Sequence, residues 1–208
     1  MQPKYWIFDL DNTLHDASKH AFPVIDAAMT NWLQNNLELS HTDANAIRQA
    51  YWRRYGATML GLRKHHPHLS PHHFLQACHP LAQLRTAIHP MPRLKITLAQ
   101  LPGQKYLFTN GPLAYAEMML NELGIAHLFT DIAAIDTVKL QPKPFSGSFR
   151  AMLKQFGLQA RDTVMVEDSI DNLITAKRLG MCTIWLRPSN RNHPAADRVI
   201  QHLHQLIQ

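Results

Sequence analysis

Cysteine is almost missing from this sequence: Cys78 and Cys182 are the only two in 208 residues, and neither belongs to a C-x-x-C pair. That excludes a disulfide framework and points to a reducing compartment. No stretch approaches the ~20 consecutive apolar residues that a membrane helix needs. The first apolar run begins so early that no signal peptide is expected ahead of it, and a cytoplasmic protein is the simplest expectation. Internal repeats and low-complexity segments are missing as well. So are long runs of one charge: the net charge is +6 and the pI near 9.5, yet Lys and Arg are scattered. A nucleic-acid surface is therefore not expected. The basic balance reads either as a field that steers small anions or as an ordinary solvated surface. What remains is a globular composition, 46% hydrophobic and 17% charged, with enough apolar material for a full core. The length allows one large domain, or a core with an insertion.

Among what is present, the stretch Tyr5–Leu14, YWIFDLDNTL, says most. Tyr5 to Phe8 read as a buried strand, because a short continuous apolar run suits a parallel sheet covered on both faces. The run ends in two aspartates, Asp9 and Asp11, followed by Thr13. Ligands of such sheets bind beyond the carboxyl ends of the strands. Two carboxylates there repel each other unless something positive sits between them. A divalent metal or a phosphoryl group would serve, whereas a plain solvated turn does not require D-x-D-x-T.

After Leu14 the pattern turns helical. Helices are expected over Ser18–Leu37, Asp43–Leu62 and Pro71–Cys78, with shorter ones near Leu81–Ala87 and Arg93–Leu101. No convincing strand interrupts them, so residues 16–101 are expected to form an inserted helical cap. From Lys105 the chain alternates: strand Lys105–Phe108, helix Pro112–Leu123, strand Ile132–Ile135, helix Ser146–Phe156, strand Thr163–Val166, helix Ser169–Leu179 and strand Cys182–Leu186. A last helix is expected over Ala195–Ile207. Alternation of this kind implies a parallel sheet with right-handed crossovers, an α/β Rossmann-like core built from residues 1–15 and 102–208.

Other strand and loop ends carry further polar groups. Strand Lys105–Phe108 runs into Thr109-Asn110-Gly111, where a hydroxyl, an amide and a glycine allowing close backbone approach would suit a phosphate; the same triplet is also common turn chemistry. Lys143 sits between Pro142 and Pro144, which present its ammonium from a restrained loop; alone it reads as a surface lysine on a Pro-rich linker. Strand Thr163–Val166 runs into Glu167-Asp168-Ser169, then Asp171-Asn172. Helix capping explains one of those acids but not two in succession at the end of an apolar strand. The conjunction of Asp-x-Asp, Thr-Asn, Lys and Glu-Asp at one sheet edge carries the case.

With those motifs in view, the chain resembles the haloacid dehalogenase-like hydrolase superfamily, through DLDNT (Asp9–Thr13), TN (Thr109–Asn110), PKP (Pro142–Pro144) and VEDSIDN (Val166–Asn172). The resemblance covers nearly the whole chain and implies a Rossmann-like core with a helical cap inserted after the first motif. It implies that Asp9 is a nucleophile forming an aspartyl-phosphate and that Asp11 protonates the leaving alcohol and then activates water. Thr109 and Asn110 would hold phosphoryl oxygens, and Lys143 would neutralise developing charge. Mg²⁺ would be held by Asp9, the Asp11 backbone carbonyl and Asp168, with Glu167 ligating directly or through water. Asn172 stands where many relatives place a second acid. Carbon–halogen cleavage needs neither an acid–base residue two positions after the nucleophile nor a metal, so the resemblance, with both Asp11 and Asp168 retained, favours phosphoryl chemistry over dehalogenation.

Within the expected cap, Tyr51–Leu62, YWRRYGATMLGL, resembles the pyrimidine 5′-nucleotidase branch, as does the run beginning at His79. Tyr51 and Tyr55 would stack on a base or sugar, Gly56 would allow close approach, and Arg53 and Arg54 would attract the substrate's charge. The alternative is that Tyr51, Trp52, Tyr55 and Met59 pack within the helical bundle. The histidines crowded between His65 and His79 lack partners at zinc spacing and read as a polar, pH-responsive surface. The resulting expectation is a Mg²⁺-dependent phosphomonoesterase acting on a small phosphorylated metabolite, a pyrimidine nucleoside 5′-monophosphate first. Phosphatases of sugar phosphates or phosphorylated vitamins, a phosphomutase and a non-catalytic binding protein are the competing readings.

Overall fold

The computed structural model describes residues 4–189 and 191–207 of the chain. Two compact units result: one joins the chain up to Ala17 with the chain from Ile88 onward, and the other is Ser18–Ala87.

The first unit is built on six parallel strands: β1 (Tyr5–Phe8), β2 (Gln104–Phe108), β3 (Asp131–Ala133), β4 (Thr163–Glu167), β5 (Cys182–Leu186) and β6 (Arg198–Ile200). Their order across the sheet is β3-β2-β1-β4-β5-β6, with every neighbouring pair parallel. The strands are apolar on both sides because helices cover both faces of such a sheet. One face carries a core of Ile7, Phe108, Met165 and Trp185 from the strands against Phe149, Met152, Leu173 and Ala176. These last four come from α8 (Ser146–Phe156) and α9 (Ile170–Arg178). The crossover from β2 to β3 runs through α7 (Leu113–Glu122). Arg198–Ile200 corrects the expected C-terminal helix: this short strand pairs with β5 and a 3₁₀ turn, Leu203–Ile207, follows it. Three residues are too few to display a strand's alternation, which is why the stretch reads as helical.

The second unit is wholly helical: α1 (Ala21–Leu37), α2 (His41–Tyr55), α3 (Thr58–His65), α4 (Pro71–Ala77), α5 (Leu81–Leu84) and a 3₁₀ turn at Arg85–Ala87. The expected single helix over Asp43–Leu62 is two, because Gly56 takes φ +81° and closes α2. Ser40 starts α2, its hydroxyl accepting from Asp43 N at 3.1 Å and donating to the Asp43 carboxylate at 2.7 Å. Trp32 and Phe74 meet edge to face at 5.0 Å in this unit's core. The expected boundary at residue 101 is displaced to Ala87, so α6 (Leu94–Gln100) belongs to the sheet unit. Among the described residues, no helix is long and apolar enough to cross a membrane.

Candidate active site

Register brings the chemistry to one edge. Phe8 of β1 pairs with Leu107 of β2 and with Val166 of β4. Asp9, Thr109 and Glu167 therefore leave the sheet within a residue or two of one another, at the carboxyl ends of its central strands. Asp9 N still donates to Val166 O at 3.1 Å, and Thr109 N to Ala133 O at 3.0 Å, so the ladder fixes both backbones. Beyond Asp9 the chain turns sharply: Asn12 adopts φ +60°, a conformation asparagine tolerates, and Leu14 N donates to Leu10 O at 2.9 Å.

Lys143 reaches this edge from a separate loop. Lys139 and Leu140, both left-handed, turn the chain into Gln141–Pro144. Asn110 then clamps that loop: its amide donates to Lys143 O at 3.1 Å and its carbonyl oxygen accepts from Lys143 N at 2.7 Å. The ammonium is buried and spends all three donors, on Asp9 Oδ1 at 2.6 Å, Glu167 Oε2 at 2.8 Å and Phe108 O at 2.9 Å. Lys143 is thus a buried charge bridge and not a surface residue. Asn110, expected on the phosphate, is the side chain that holds this loop to strand β2.

Asp168 completes the cluster. Carboxylate oxygens of Asp9, Glu167 and Asp168 all lie within 4.8 Å of one another. One ammonium cannot balance these acids in a desolvated site. Burial, reinforced by Glu167 and Asp11, pushes Asp9 up to about 7 against the pull of Lys143. Burial and the neighbouring Asp168 likewise push Glu167 up to about 7, and burial with Asp9 raises Asp168. Burial alone would lower Lys143, but Asp9 and Glu167 outweigh it and keep it protonated. A hard divalent cation with oxygen ligands fits this donor set, because it would supply the missing positive charge. Asn172 is buried in the first turn of α9. Trp185, which sequence reasoning missed, donates its indole N–H to Asp168 O at 2.7 Å and anchors that loop from β5.

Asp11 has two partners that no motif announced. Tyr115 OH donates to Asp11 Oδ1 at 2.7 Å, and His15 Nε2 lies 2.9 Å from the same oxygen. Tyr115 and His15 are fully buried, while the Asp11 side chain keeps 17% exposure. Burial and the Asp11 charge push the Tyr115 phenol far up, so it remains a donor. Thr109 is buried too, and its hydroxyl accepts from Gly111 N at 3.0 Å. The space above Gly111 is taken by Tyr115: a Cβ there would stand 2.7 Å from the Tyr115 ring. That glycine makes room for the Tyr115 ring.

The two expected substrate tyrosines belong to the helical unit and find partners within it. Tyr51 OH lies 3.0 Å from His66 Nε2, and Tyr55 OH lies 2.6 Å from His65 Nε2. Gly61 leaves no more than the room Tyr51 needs, since a Cβ on it would come within 2.2 Å of Tyr51 Cγ. Gly56 closes α2 in a left-handed turn, with open space where a Cβ would stand. Met59 is buried, whereas Trp52 is 61% exposed. Burial, with His68 and His65 nearby, holds His66 below the usual imidazole range. Among the described residues, the histidines form no group able to hold a metal; the acidic cluster alone does.

The haloacid dehalogenase-like hydrolase pattern is matched over residues 4–180. The chain is 28% identical over 197 residues to the phosphoglycolate phosphatase of Yersinia pseudotuberculosis, covering 86% of this chain and 78% of that protein. Its fold is that of a haloacid dehalogenase phosphatase from Thermococcus onnurineus, with TM-score 0.70 at 22% identity and coverage of 99% and 96%. CbbY from Rhodobacter sphaeroides, solved in complex with phosphate, gives TM-score 0.69 at 19% identity, again covering 99% and 96%.

Proposed function

This chain belongs to the haloacid dehalogenase-like hydrolase family, and from that premise we propose that it is a Mg²⁺-dependent phosphomonoester hydrolase working through an aspartyl-phosphate. The observation that carries this reading is the ammonium of Lys143 bridging Asp9 and Glu167, with Asp168 in the same cluster. Buried acids in this number are costly to a fold, and a protein that only binds needs no nucleophile placed among them.

In this reading an Asp9 carboxylate oxygen attacks phosphorus while the bond from phosphorus to the leaving oxygen breaks. Asp11 delivers a proton to that oxygen, which departs as an alcohol. Water then attacks the aspartyl-phosphate, Asp11 takes up the water's proton, and the Asp9 carboxylate and inorganic phosphate are released. Lys143 fixes the orientation of Asp9, and the Thr109 hydroxyl donates to a phosphoryl oxygen. Asp9, Asp168 and the Asp11 carbonyl, with Glu167 directly or through water, would hold Mg²⁺, which offsets the repulsion between anionic nucleophile and anionic substrate. The two unpaired cysteines fit a reducing, cytoplasmic setting.

The substrate proposed first is a small phosphorylated metabolite of the kind named by the phosphoglycolate phosphatase relatives. A pyrimidine nucleoside 5′-monophosphate is the second reading. It rests on the resemblance of Tyr51–Leu62 and is weakened by the internal partners of Tyr51 and Tyr55. Phosphate release, with Mg²⁺ and with EDTA, would be measured on phosphoglycolate, sugar phosphates, UMP and CMP. Turnover confined to Mg²⁺ and highest on a small acid or sugar ester is expected. Preference for UMP and CMP would reverse the order of the two substrates, and no release from any ester would remove the hydrolase reading.

A further inference from the structure

We infer that Tyr115 and His15 are positioning residues that hold the Asp11 carboxylate by its Oδ1 atom and so commit its other oxygen to proton exchange with the leaving group. The inference deepens the hydrolase reading and rests on it. Tyr115 OH and His15 Nε2 converge on one oxygen of Asp11, at 2.7 and 2.9 Å, and lie 3.4 Å from each other. An oxygen accepting two donors is a poor place for a proton, so an acidic Asp11 carries its proton on Oδ2. A carboxylate on a short side chain otherwise rotates, and a misdirected acid loses most of its value to a departing oxygen.

Both donors are built in. Tyr115 comes from α7, 104 residues away in sequence, and its ring occupies the slot that Gly111 leaves open. Its ring would pack equally well as phenylalanine, so the hydroxyl is the part that packing does not explain. His15 is pinned from both sides: Asp16 N donates to His89 O at 2.8 Å, and Met91 N donates to Leu14 O at 3.0 Å. Its Nδ1 is buried with no hydrogen-bond partner among the described residues. A bare Nδ1 lone pair costs less there than an unsatisfied N–H, which places the proton of a neutral ring on Nε2, facing Asp11.

The test compares leaving groups. An alkyl phosphate, the one turned over fastest in the panel above, leaves as a strongly basic alkoxide and needs a proton. 2,4-Dinitrophenyl phosphate leaves as a stable phenolate and does not. For Tyr115→Phe, kcat/KM on the alkyl ester is expected to fall roughly 10- to 100-fold, a fraction of what general acid catalysis supplies, and on the dinitrophenyl ester by less than about threefold. His15→Gln, whose amide can still donate, should show the same selectivity with a smaller loss. Thermal melts of both variants verify the fold. Equal losses on the two esters, or no loss on either, would overturn the positioning role while leaving the hydrolase reading intact. A wild-type enzyme inactive on both esters with Mg²⁺ present would remove the hydrolase reading and this inference with it.

Discussion

At the scale of single residues the site is a problem in charge. Asp9, Glu167 and Asp168 share one desolvated volume with the ammonium of Lys143. Burial, reinforced by the neighbouring acids, holds each acid back from ionising, and Asp9 is the one proposed as nucleophile. Asp9→Asn keeps the shape and an oxygen acceptor for Lys143 but cannot attack phosphorus. Turnover should drop by more than about a thousandfold, the scale seen when a nucleophile is removed. The same change neutralises one of the crowded acids, so the melting temperature of the metal-free protein should stay level or rise. Phosphate release and a thermal melt of the purified variant check both halves. Activity within a few-fold of wild type would refute the covalent intermediate.

Secondary-structure elements decide what these residues can reach. Strand register alone sets Asp9 and Glu167 level, and the apolar runs that end in acids made that legible in the sequence. Lys143 was legible only in conjunction, because a lysine between prolines has no burial signature of its own. Tyr115 and His15 were not legible: each is an ordinary member of its own segment, and their meeting at Asp11 is tertiary. The break at Gly56 and the three-residue edge strand also escaped periodicity, one because a left-handed glycine interrupts a helical pattern without disturbing its apolar spacing, the other because it is too short to show alternation. In the helical unit, α2 and α3 pack through Tyr51 on Gly61. Gly61→Ala gains up to about 1 kcal/mol of helix propensity. It also forces a methyl against the Cβ and Cγ atoms of Tyr51, which the α2 backbone holds, at a cost of about 1–3 kcal/mol. The net expectation is a loss of roughly 1 kcal/mol, with faster amide exchange over residues 41–65. A stabilised variant would show that Tyr51 swings freely, and would return it to consideration as a substrate-stacking residue.

For the whole molecule, the net charge of +6 draws anions toward a protein whose candidate site is locally acidic. A divalent cation of the kind proposed would reconcile the two, and its binding should be visible in stability before any substrate is added. The sign follows from the acids. Asp9 rises from 3.8 to about 7, and Glu167 from 4.5 to about 7, on folding. Between pH 4 and 7 the folded state therefore holds protons that the unfolded chain has released. This contribution to stability is present below the ordinary carboxylate values and is lost as pH rises through about 7. A cation must displace those protons, so it binds weakly on the acid side and tightly once the acids ionise. At a concentration 100 times its dissociation constant, Mg²⁺ adds about 2.7 kcal/mol, or roughly 5–10 °C for a chain of this size. The melting temperature in Mg²⁺ minus that in EDTA should accordingly be several degrees at pH 8 and shrink toward zero near pH 5.5. A difference independent of pH, or abolished by changing residues outside Asp9, Glu167 and Asp168 alone, would place the cation somewhere other than at this cluster.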